Sequence, residues 1–248
     1  MTVSIVTRVR AIFGLTFAIL HTAFFSTLVF AAGFANKQKL ATKIITFWAK
    51  LVFKVFGIEV VTSGEENLPA QSGGIIVFNH QSHFDITALC ASTEKQIRFG
   101  AKIELFKIPI FGPAMRSVGT LPIARENRSE VMRIYEDAAK RFREGTLFIL
   151  APEGTRQPEP KIGRFKKGPF IFATNAKVPI IPAVIRGAYE VLPRKTMLIN
   201  VGKWKRQIHV QYLPPIETSG YSSRDIEPLV QKTREQMVAA YEALPSDG

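Results

Sequence analysis

The chain has 248 residues, of which 46% are hydrophobic, and this amount of apolar material fits one substantial core. Lysine and arginine outnumber aspartate and glutamate by 33 to 20, so the formal charge of +13 predicts an anionic partner: nucleic acid, lipid headgroups or an acidic protein. The single cysteine, Cys90, excludes an internal disulfide framework, and its apolar neighbours predict ordinary packing in a reducing compartment.

The first predicted element is an apolar run that carries no charged residue between Arg10 and Lys37. Crossing a hydrocarbon layer requires about 20 apolar residues, and this run is long enough. A cleaved signal peptide is the alternative, but its apolar core is typically only about 7 to 15 residues long. We therefore expect a membrane-embedded N-terminus. Membrane lipids become the expected partner and nucleic acid is disfavoured, because the basic residues lack the interleaved aromatic residues typical of nucleic-acid binding.

Residues 38–57 place apolar side chains at helical spacing and lysines on the rest of the wheel, a pattern typical of an interfacial helix. A buried core helix is the alternative interpretation. Because basic residues flank both ends of the preceding apolar run, counting positive charges does not choose an orientation. Two arrangements stay open, a single membrane crossing or a helix pair that dips into one leaflet, and the second is favoured.

After Gly57 the pattern changes to short β-rich runs that alternate with amphipathic helices, as in α/β domains. We expect a mixed central sheet flanked by helices, preceded by the N-terminal membrane-embedded helical segment. The predicted strands are 58–62, 74–78, 97–101, 118–123, 146–150, 180–185 and 207–213, and the clearest helices are 128–143, with Gly145 as its stop signal, and 223–244.

The most informative segment is 74–85, in which a buried-type strand runs directly into His80, His83 and Asp85 before a helix begins. Ligands of α/β sheets bind beyond the strand ends, so His80 and Asp85 are placed for function. A turn between strand and helix lets the carboxylate orient the imidazole as a base. A metal site is disfavoured because the sequence has no second cluster of ligand residues. A serine hydrolase is disfavoured because the sequence has no Gly-x-Ser-x-Gly elbow. Helix capping by Ser82 or Asp85 explains the acid but neither histidine.

Residues 79–85, Asn-His-Gln-Ser-His-Phe-Asp, resemble the His-x4-Asp motif of the glycerolipid acyltransferase family, particularly its lysophosphatidate acyltransferases. Three further blocks follow in that family's order: Gly-Thr-Leu-Pro-Ile-Ala-Arg at 119–125, Ala-Pro-Glu-Gly-Thr-Arg at 151–156 and Val-Pro-Ile-Ile-Pro-Ala at 178–183. Two positions depart from the family's pattern: Ala151 stands where phenylalanine is usual, and Ala124 stands where an acidic residue is often present. The joint occurrence of the four blocks is specific for the family, and the two departures affect the expected choice of acceptor more than the expected reaction.

The resemblance implies a division into membrane-anchoring helices at 1–57 and a catalytic domain at 58–248. It implies transfer of a fatty acyl group from acyl-CoA or acyl carrier protein to the sn-2 hydroxyl of lysophosphatidate, without a cofactor or metal, at the cytoplasmic side of a membrane, the bacterial inner membrane being favoured. Another lysophospholipid or glycerolipid acceptor is the nearest alternative. A non-catalytic basic binding protein is the alternative from another class.

The expected site residues follow from the blocks and their chemistry. We expect His80 to be the general base and Asp85 to orient it, with His83 as a packing or rim residue. Arginine binds phosphate through paired hydrogen bonds, and glycine permits close approach of an anion. An ion pair between Glu153 and Arg156 is the structural alternative for those two residues. The expected substrate-binding residues are Asn79, Lys102, Arg125, Glu153, Gly154, Thr155 and Arg156.

Overall fold

A computed structural model of the chain shows a mixed seven-stranded sheet with helices on both faces. The structure describes residues 5–123, 128–194, 196, 199, 203 and 205–245. The strands are β1 (Ile58–Ser63), β2 (Gly74–Phe78), β3 (Ile97–Lys102), β4 (Leu121–Ile123), β5 (Leu147–Leu150), β6 (Ile180–Arg186) and β7 (Arg206–Tyr212). The helices are α1 (Ile5–Phe34), α2 (Gln38–Phe56), α3 (Phe84–Ser92), α4 (Phe111–Val118), α5 (Arg128–Ala139), α6 (Gly168–Ala176), α7 (Ala188–Val191) and α8 (Glu227–Ala243).

The strand order β1-β7-β6-β2-β5-β3-β4 puts the most apolar strands in the middle of the sheet. All neighbours are parallel except β6 and β7, so the expectation of a mixed sheet is confirmed. β2 and β5 are buried along their whole length, as expected for strands covered on both faces. Their carboxyl ends lie side by side, which brings the segments after Phe78 and Leu150 together at one edge of the sheet.

Several predicted boundaries differ from those in the structure. Of the strand predicted at 118–123, only residues 121–123 form a strand, β4. Val118 is instead the last residue of α4, which ends at Gly119 with a left-handed φ of 80°. The predicted helix at 128–143 is α5 followed by a 3₁₀ helix at Lys140–Glu144, and Gly145 closes it with a φ of 75°, as its stop signal predicted. The last helix begins at Glu227 rather than at residue 223.

The two N-terminal helices pack against the sheet domain as well as each other. α2 buries Ala49 and Phe53 in the core that covers one face of the sheet, whereas its Phe47 and Leu40 are exposed. One face of α2 is therefore packed in the core, and its other face exposes apolar side chains. Within α1, the stretch Ile12–Phe34 is long and apolar enough to cross a membrane by length and composition.

Candidate active site

His80 lies where β2 ends, at the carboxyl edge of the parallel part of the sheet. Its ring packs edge-on against Phe78, with the ring centroids 5.6 Å apart. Its carbonyl oxygen accepts a hydrogen bond from the backbone N–H of Gln157 at 2.8 Å, which ties the segment after β2 to the segment after β5. The histidine is thus held by two strand ends, as ligand-binding groups of α/β sheets typically are.

Asp85 fixes the orientation of the imidazole. His80 Nδ1 lies 2.8 Å from Asp85 Oδ2, and the same oxygen accepts the backbone N–H groups of Gln81 at 2.7 Å and Ser82 at 2.8 Å. Because Oδ2 already acts as an acceptor, Nδ1 carries the hydrogen and Nε2 is left as the basic nitrogen. Asp85 is buried and 16% of the His80 side chain is exposed, so a substrate reaches the imidazole and not the carboxylate.

Asn79 holds the segment after β2 to the neighbouring strand β6. Its Nδ2 donates to the carbonyl oxygen of Ile185 at 2.8 Å, and its Oδ1 accepts the N–H of Ile185 at 2.8 Å. The residue is completely buried, and both ends of its side-chain amide form hydrogen bonds with β6. This geometry supports a positioning role rather than the substrate contact expected from the sequence.

Ser82 and Gln81 attach the same segment to more distant parts of the chain. Ser82 Oγ accepts the N–H of Phe84 at 3.2 Å at the start of α3 and donates to the carbonyl oxygen of Leu192 at 3.0 Å. Gln81 Oε1 accepts the hydroxyl of Tyr241, from α8, at 3.2 Å. Sequence reasoning missed Leu192 and Tyr241, because nothing local marks a residue that supports a segment more than a hundred positions away.

Glu153 lies in the turn after β5 and does not form the ion pair that the sequence left open. Its Oε1 accepts the N–H of Gly163 at 3.3 Å, and its Oε2 is buried without a hydrogen-bond partner among the described residues. None of the ion pairs in the described part of the chain joins it to Arg156. Burial raises the pKa of Glu153 to about 7, so this carboxyl group titrates near neutral pH.

Gly154 lies in the turn after β5, close to the ammonium group of Lys166. Its φ is 73°, and a Cβ atom at this position would lie 2.8 Å from Lys166 Nζ. The backbone N–H of Lys166 donates to the carbonyl oxygen of Pro152 at 2.8 Å, which holds the lysine over the turn. Glycine is favoured here by its left-handed conformation, whereas the flexible end of the Lys166 side chain could move away from an added Cβ atom. Neighbouring Thr155 is exposed.

Two of the three residues expected to bind phosphate lie at the carboxyl edge of the sheet, where His80 also lies. Arg156 follows the turn directly, is partly buried, and has Asp85 and Arg194 near enough to influence its pKa, which burial lowers. Lys102, the last residue of β3, is exposed and pairs with Glu104 at 3.2 Å. Arg125 lies outside the described residues. The parallel order β2-β5-β3 therefore brings His80, Arg156 and Lys102 to one edge.

Two cavities lie on opposite faces of the sheet beside this edge. The first, of about 420 Å³, is lined mainly by apolar residues, among them Phe25, Trp48, Phe99 and Met115. The second, of about 850 Å³, is lined by the turn after β5 and by α6 and bears Arg164, Lys166 and Lys167. β3 contributes to both cavities: Phe99 lines the first, and Gly100 and Ala101 line the second.

His83 lies at the rim of the apolar cavity, in agreement with the rim position expected for it. Burial lowers its pKa, and the nearby Arg156 and His80 lower it further, so the neutral imidazole is favoured. Among the described residues, no group of three or more His, Cys, Asp or Glu side chains has the geometry to hold a metal ion. The chemistry that the site itself offers is therefore proton transfer at His80 beside cations.

Comparisons with known proteins agree with this geometry. A family model described as Acyltransferase matches residues 59–186. A chloroplastic 1-acyl-sn-glycerol-3-phosphate acyltransferase of Arabidopsis thaliana is 30% identical over 176 residues, which cover 70% of this chain and 49% of that protein. A 1-acyl-sn-glycerol-3-phosphate acyltransferase of Haemophilus influenzae is 28% identical over 188 residues, 75% of each chain. This chain spans about half the length of the chloroplastic relatives.

The fold is shared with a solved structure. The crystal structure of the 1-acyl-sn-glycerophosphate acyltransferase of Thermotoga maritima superposes with a TM-score of 0.77 at 26% sequence identity, covering 97% of this chain and 99% of that one. The resemblance drawn from the four sequence blocks is confirmed. The chain belongs to the acyltransferase family.

Proposed function

We propose that the chain transfers a fatty acyl group from an acyl thioester to the sn-2 hydroxyl of 1-acylglycerol-3-phosphate, giving phosphatidate for phospholipid biosynthesis. The observation that carries this proposal is the His80–Asp85 pair at the end of β2, with Arg156 beside it. The names of the relatives from Arabidopsis thaliana and Haemophilus influenzae support the choice of acceptor.

The chemistry follows from the orientation of His80. Nε2 takes the proton of the acceptor hydroxyl as its oxygen attacks the thioester carbon, and the new C–O bond forms as the C–S bond breaks. The imidazolium then returns the proton to the departing thiolate. Asp85 stabilises the imidazolium through Nδ1 while two backbone N–H groups hold its carboxylate in place. One direct displacement uses no covalent acyl-enzyme.

Each substrate has a region of the site that suits it. Arg156, with Arg125 and Lys102, is proposed to bind the acceptor phosphate, because arginine holds phosphate through paired hydrogen bonds. The acyl chain of the donor is proposed to occupy the apolar cavity. The acyl chain of the acceptor stays in the bilayer while its headgroup reacts. The donor arrives from water, so burial of its acyl chain in the cavity stabilises the complex most.

The packing of α1 supports a membrane arrangement in one leaflet. Val29 and Ala32 of α1 pack against Ala114 and Val118 of α4, so the C-terminal half of α1 is attached to the catalytic domain rather than surrounded by lipid. The rest of the helix and the outer face of α2 expose apolar side chains. We propose that both helices dip into the leaflet on the cytoplasmic side, where acyl-CoA and acyl carrier protein are available.

A substrate panel tests the proposal. Purified full-length protein is supplied with vesicles that contain lysophosphatidate, lysophosphatidylethanolamine or monoacylglycerol, together with palmitoyl-CoA or palmitoyl acyl carrier protein, and products are measured by mass spectrometry. We expect phosphatidate as the main product and none above background from His80→Ala. Faster acylation of either of the other acceptors overturns the choice of lysophosphatidate.

A further inference from the structure

The large exposed apolar side chains of the described residues lie in two places. Twelve belong to α1 and α2, and the remaining three, Leu105, Ile108 and Ile110, belong to the segment 103–110 between β3 and α4. Scattered exposed apolar residues are normal on a soluble surface, but three within six positions of one loop are not scattered. The rest of the described catalytic domain has none of this kind.

The backbone of this segment is strained at Ile110. Its φ is 66° and its ψ is −54°, and the N–H of Phe111 donates to the carbonyl oxygen of Pro109 at 2.7 Å. These values describe the rare, strained form of the γ-turn, and a β-branched residue with positive φ is an outlier. The turn leaves the Ile110 side chain 48% exposed, so the strain is not compensated by burial of that side chain within the fold. Strain of this kind points to a function for the segment.

The segment is continuous with the apolar surface of α1. It leads directly into α4, and α4 packs along the C-terminal half of α1. Leu105 and Phe111 line the same apolar cavity as Phe25 and Val29 of α1, which places the two surfaces on either side of one cavity. The 103–110 segment therefore extends the surface that the proposed function assigns to the bilayer.

The charges around the segment also suit a lipid surface. Lys107 is exposed between Leu105 and Ile108, and Lys102 is exposed where β3 ends. Glu104 opposes them in part, since it pairs with Lys102 at 3.2 Å. Lysines at the border of an apolar patch interact favourably with anionic headgroups while the apolar side chains enter the acyl region.

We propose that Leu105, Ile108 and Ile110 form a third membrane contact, which inserts into the leaflet that holds α1 and α2. The inference rests on the proposed function, because it requires that the enzyme works at a bilayer. Since the segment begins next to Lys102, its insertion places that lysine at the depth of the headgroup phosphates. A lysophosphatidate in the same leaflet then carries its phosphate at the level of the catalytic edge.

Fluorescent labels test the contact in the full-length protein. Ile108→Cys and Ile110→Cys, prepared separately, receive an environment-sensitive fluorophore, and Gln236→Cys on α8, which packs on the other face of the sheet, is the matched control. Burial raises the pKa of the Cys90 thiol to about 12, so the introduced cysteine is labelled selectively near neutral pH. The vesicles consist of phosphatidylcholine, alone or mixed equally with phosphatidylglycerol.

With the mixed vesicles, labels at 108 and 110 are expected to shift their emission to shorter wavelength and to be quenched by brominated acyl chains. The label at 236 is expected to keep its emission in water. If the labels at 108 and 110 stay water-like while the protein sediments with the vesicles, the third contact does not exist.

A double variant measures what the contact does for catalysis. Ile108→Ser with Ile110→Gly removes both side chains and relieves the backbone at 110, and neither residue lines either of the two cavities described beside the catalytic edge. We expect roughly tenfold slower turnover of vesicle-embedded lysophosphatidate and unchanged turnover of a short-chain acceptor in solution. Unchanged turnover on vesicles overturns the inference. If the wild-type protein acylates neither acceptor, the proposed function fails, and the labels still decide whether the segment enters the bilayer.

Discussion

At the scale of single residues, the His80–Asp85 pair carries the proposed mechanism. His80→Ala is expected to lower kcat by about 10²- to 10⁴-fold, because it removes the general base. Asp85→Asn is expected to lower kcat strongly and to leave the KM for the acceptor nearly unchanged, because the carboxylate orients the imidazole and is itself buried. Steady-state kinetics with circular dichroism as a folding control measures both. A change confined to KM contradicts the role given to Asp85.

Arg156 tests the phosphate site. Arg156→Ala is expected to lower kcat/KM for lysophosphatidate by an amount that corresponds to about 1.5 to 3 kcal/mol, the value of a charge-assisted hydrogen bond. Arg156→Lys is expected to recover only part of the loss, because an ammonium lacks the planar two-pronged geometry. Monoacylglycerol is the control acceptor, since it has no phosphate to lose. Equal losses with both acceptors assign the arginine to the donor or to structure, and Arg125→Ala is compared in the same assay.

Glu153 predicts a pH dependence of stability. Burial raises its pKa from an ordinary 4.5 to about 7, so between these values the folded protein keeps a proton that the unfolded chain releases. The free energy of unfolding therefore decreases as pH rises through this window, by on the order of 3 kcal/mol. Glu153→Gln removes this decrease, whereas the exposed Glu159→Gln serves as the control and keeps it. Denaturation curves from pH 4 to 8 measure the slopes, and identical slopes in all three proteins refute the assignment.

At the scale of elements, a buried arginine joins α2 to the sheet domain. Arg98 is 1% exposed, and its Nε donates to the carbonyl oxygen of Val118 at 2.6 Å. Its Nη2 donates to Gln38 Oε1 at 3.1 Å, and both terminal nitrogens contact Thr42 Oγ1 at 3.3 Å. Burial lowers the pKa of Arg98 to about 10, so the guanidinium stays charged at neutral pH. It thus binds β3 to the end of α4 and to the first turns of α2.

Arg98→Met is expected to destabilise the protein by about 3 to 5 kcal/mol, because it leaves several buried acceptors without a donor. Thr42→Val is the matched control. It removes the two longer hydrogen bonds of Arg98 and the bond from Thr42 Oγ1 to the carbonyl oxygen of Gln38 at 3.0 Å, and it leaves the other acceptors of Arg98 paired, so it is expected to cost about 1 kcal/mol. Thermal unfolding in detergent measures the difference. Because α2 forms a wall of the apolar cavity, Arg98→Met is also expected to broaden the range of donor chain lengths. Equal stability of the two variants contradicts a joining role for Arg98.

The elements themselves were predictable to different degrees. Six strands were located within one or two residues because short apolar runs ended at clear turn signals. α4 was missed because Gly112 and Pro113 lower its helix propensity, and its last residue was assigned to a strand. α6 was missed because its apolar residues surround the helix, which is buried between the sheet and α5, so no periodicity marks it.

At the scale of the whole molecule, α1 lines the apolar cavity and is also the proposed membrane anchor, and experiment can separate these two roles. Ile19 and Leu20 are exposed and do not line the apolar cavity, whereas Phe25 and Val29 do. Ile19→Ser with Leu20→Ser is expected to weaken vesicle binding yet spare turnover of a short-chain acceptor in solution. Deletion of residues 1–36 is expected to lower both, because it also removes the cavity wall. Vesicle sedimentation and the two assays measure this, and full activity of the deleted protein on the soluble acceptor contradicts it.

The sequence by itself determined the family, the sheet type, the apolar N-terminus and the contact between His80 and Asp85. These features are local: four motif blocks, strand ends marked by polar residues, and a histidine and an acid five positions apart across one turn. A short segment of chain is sufficient to specify a turn of this kind, because the groups that form it are covalently close.

The tertiary structure decided what depends on residues far apart in the chain. The sheet order places Asn79 against Ile185, so its amide serves β6. Glu153 accepts the N–H of Gly163, ten positions along the chain, and forms no ion pair with its neighbour Arg156. The apolar cavity is formed where α1, α2, α3, β3 and α4 meet, and the strained turn at Ile110 presents its side chain beside them. Local periodicity specifies which face of an element is apolar. The element that covers this face is selected by the packing of the whole sheet.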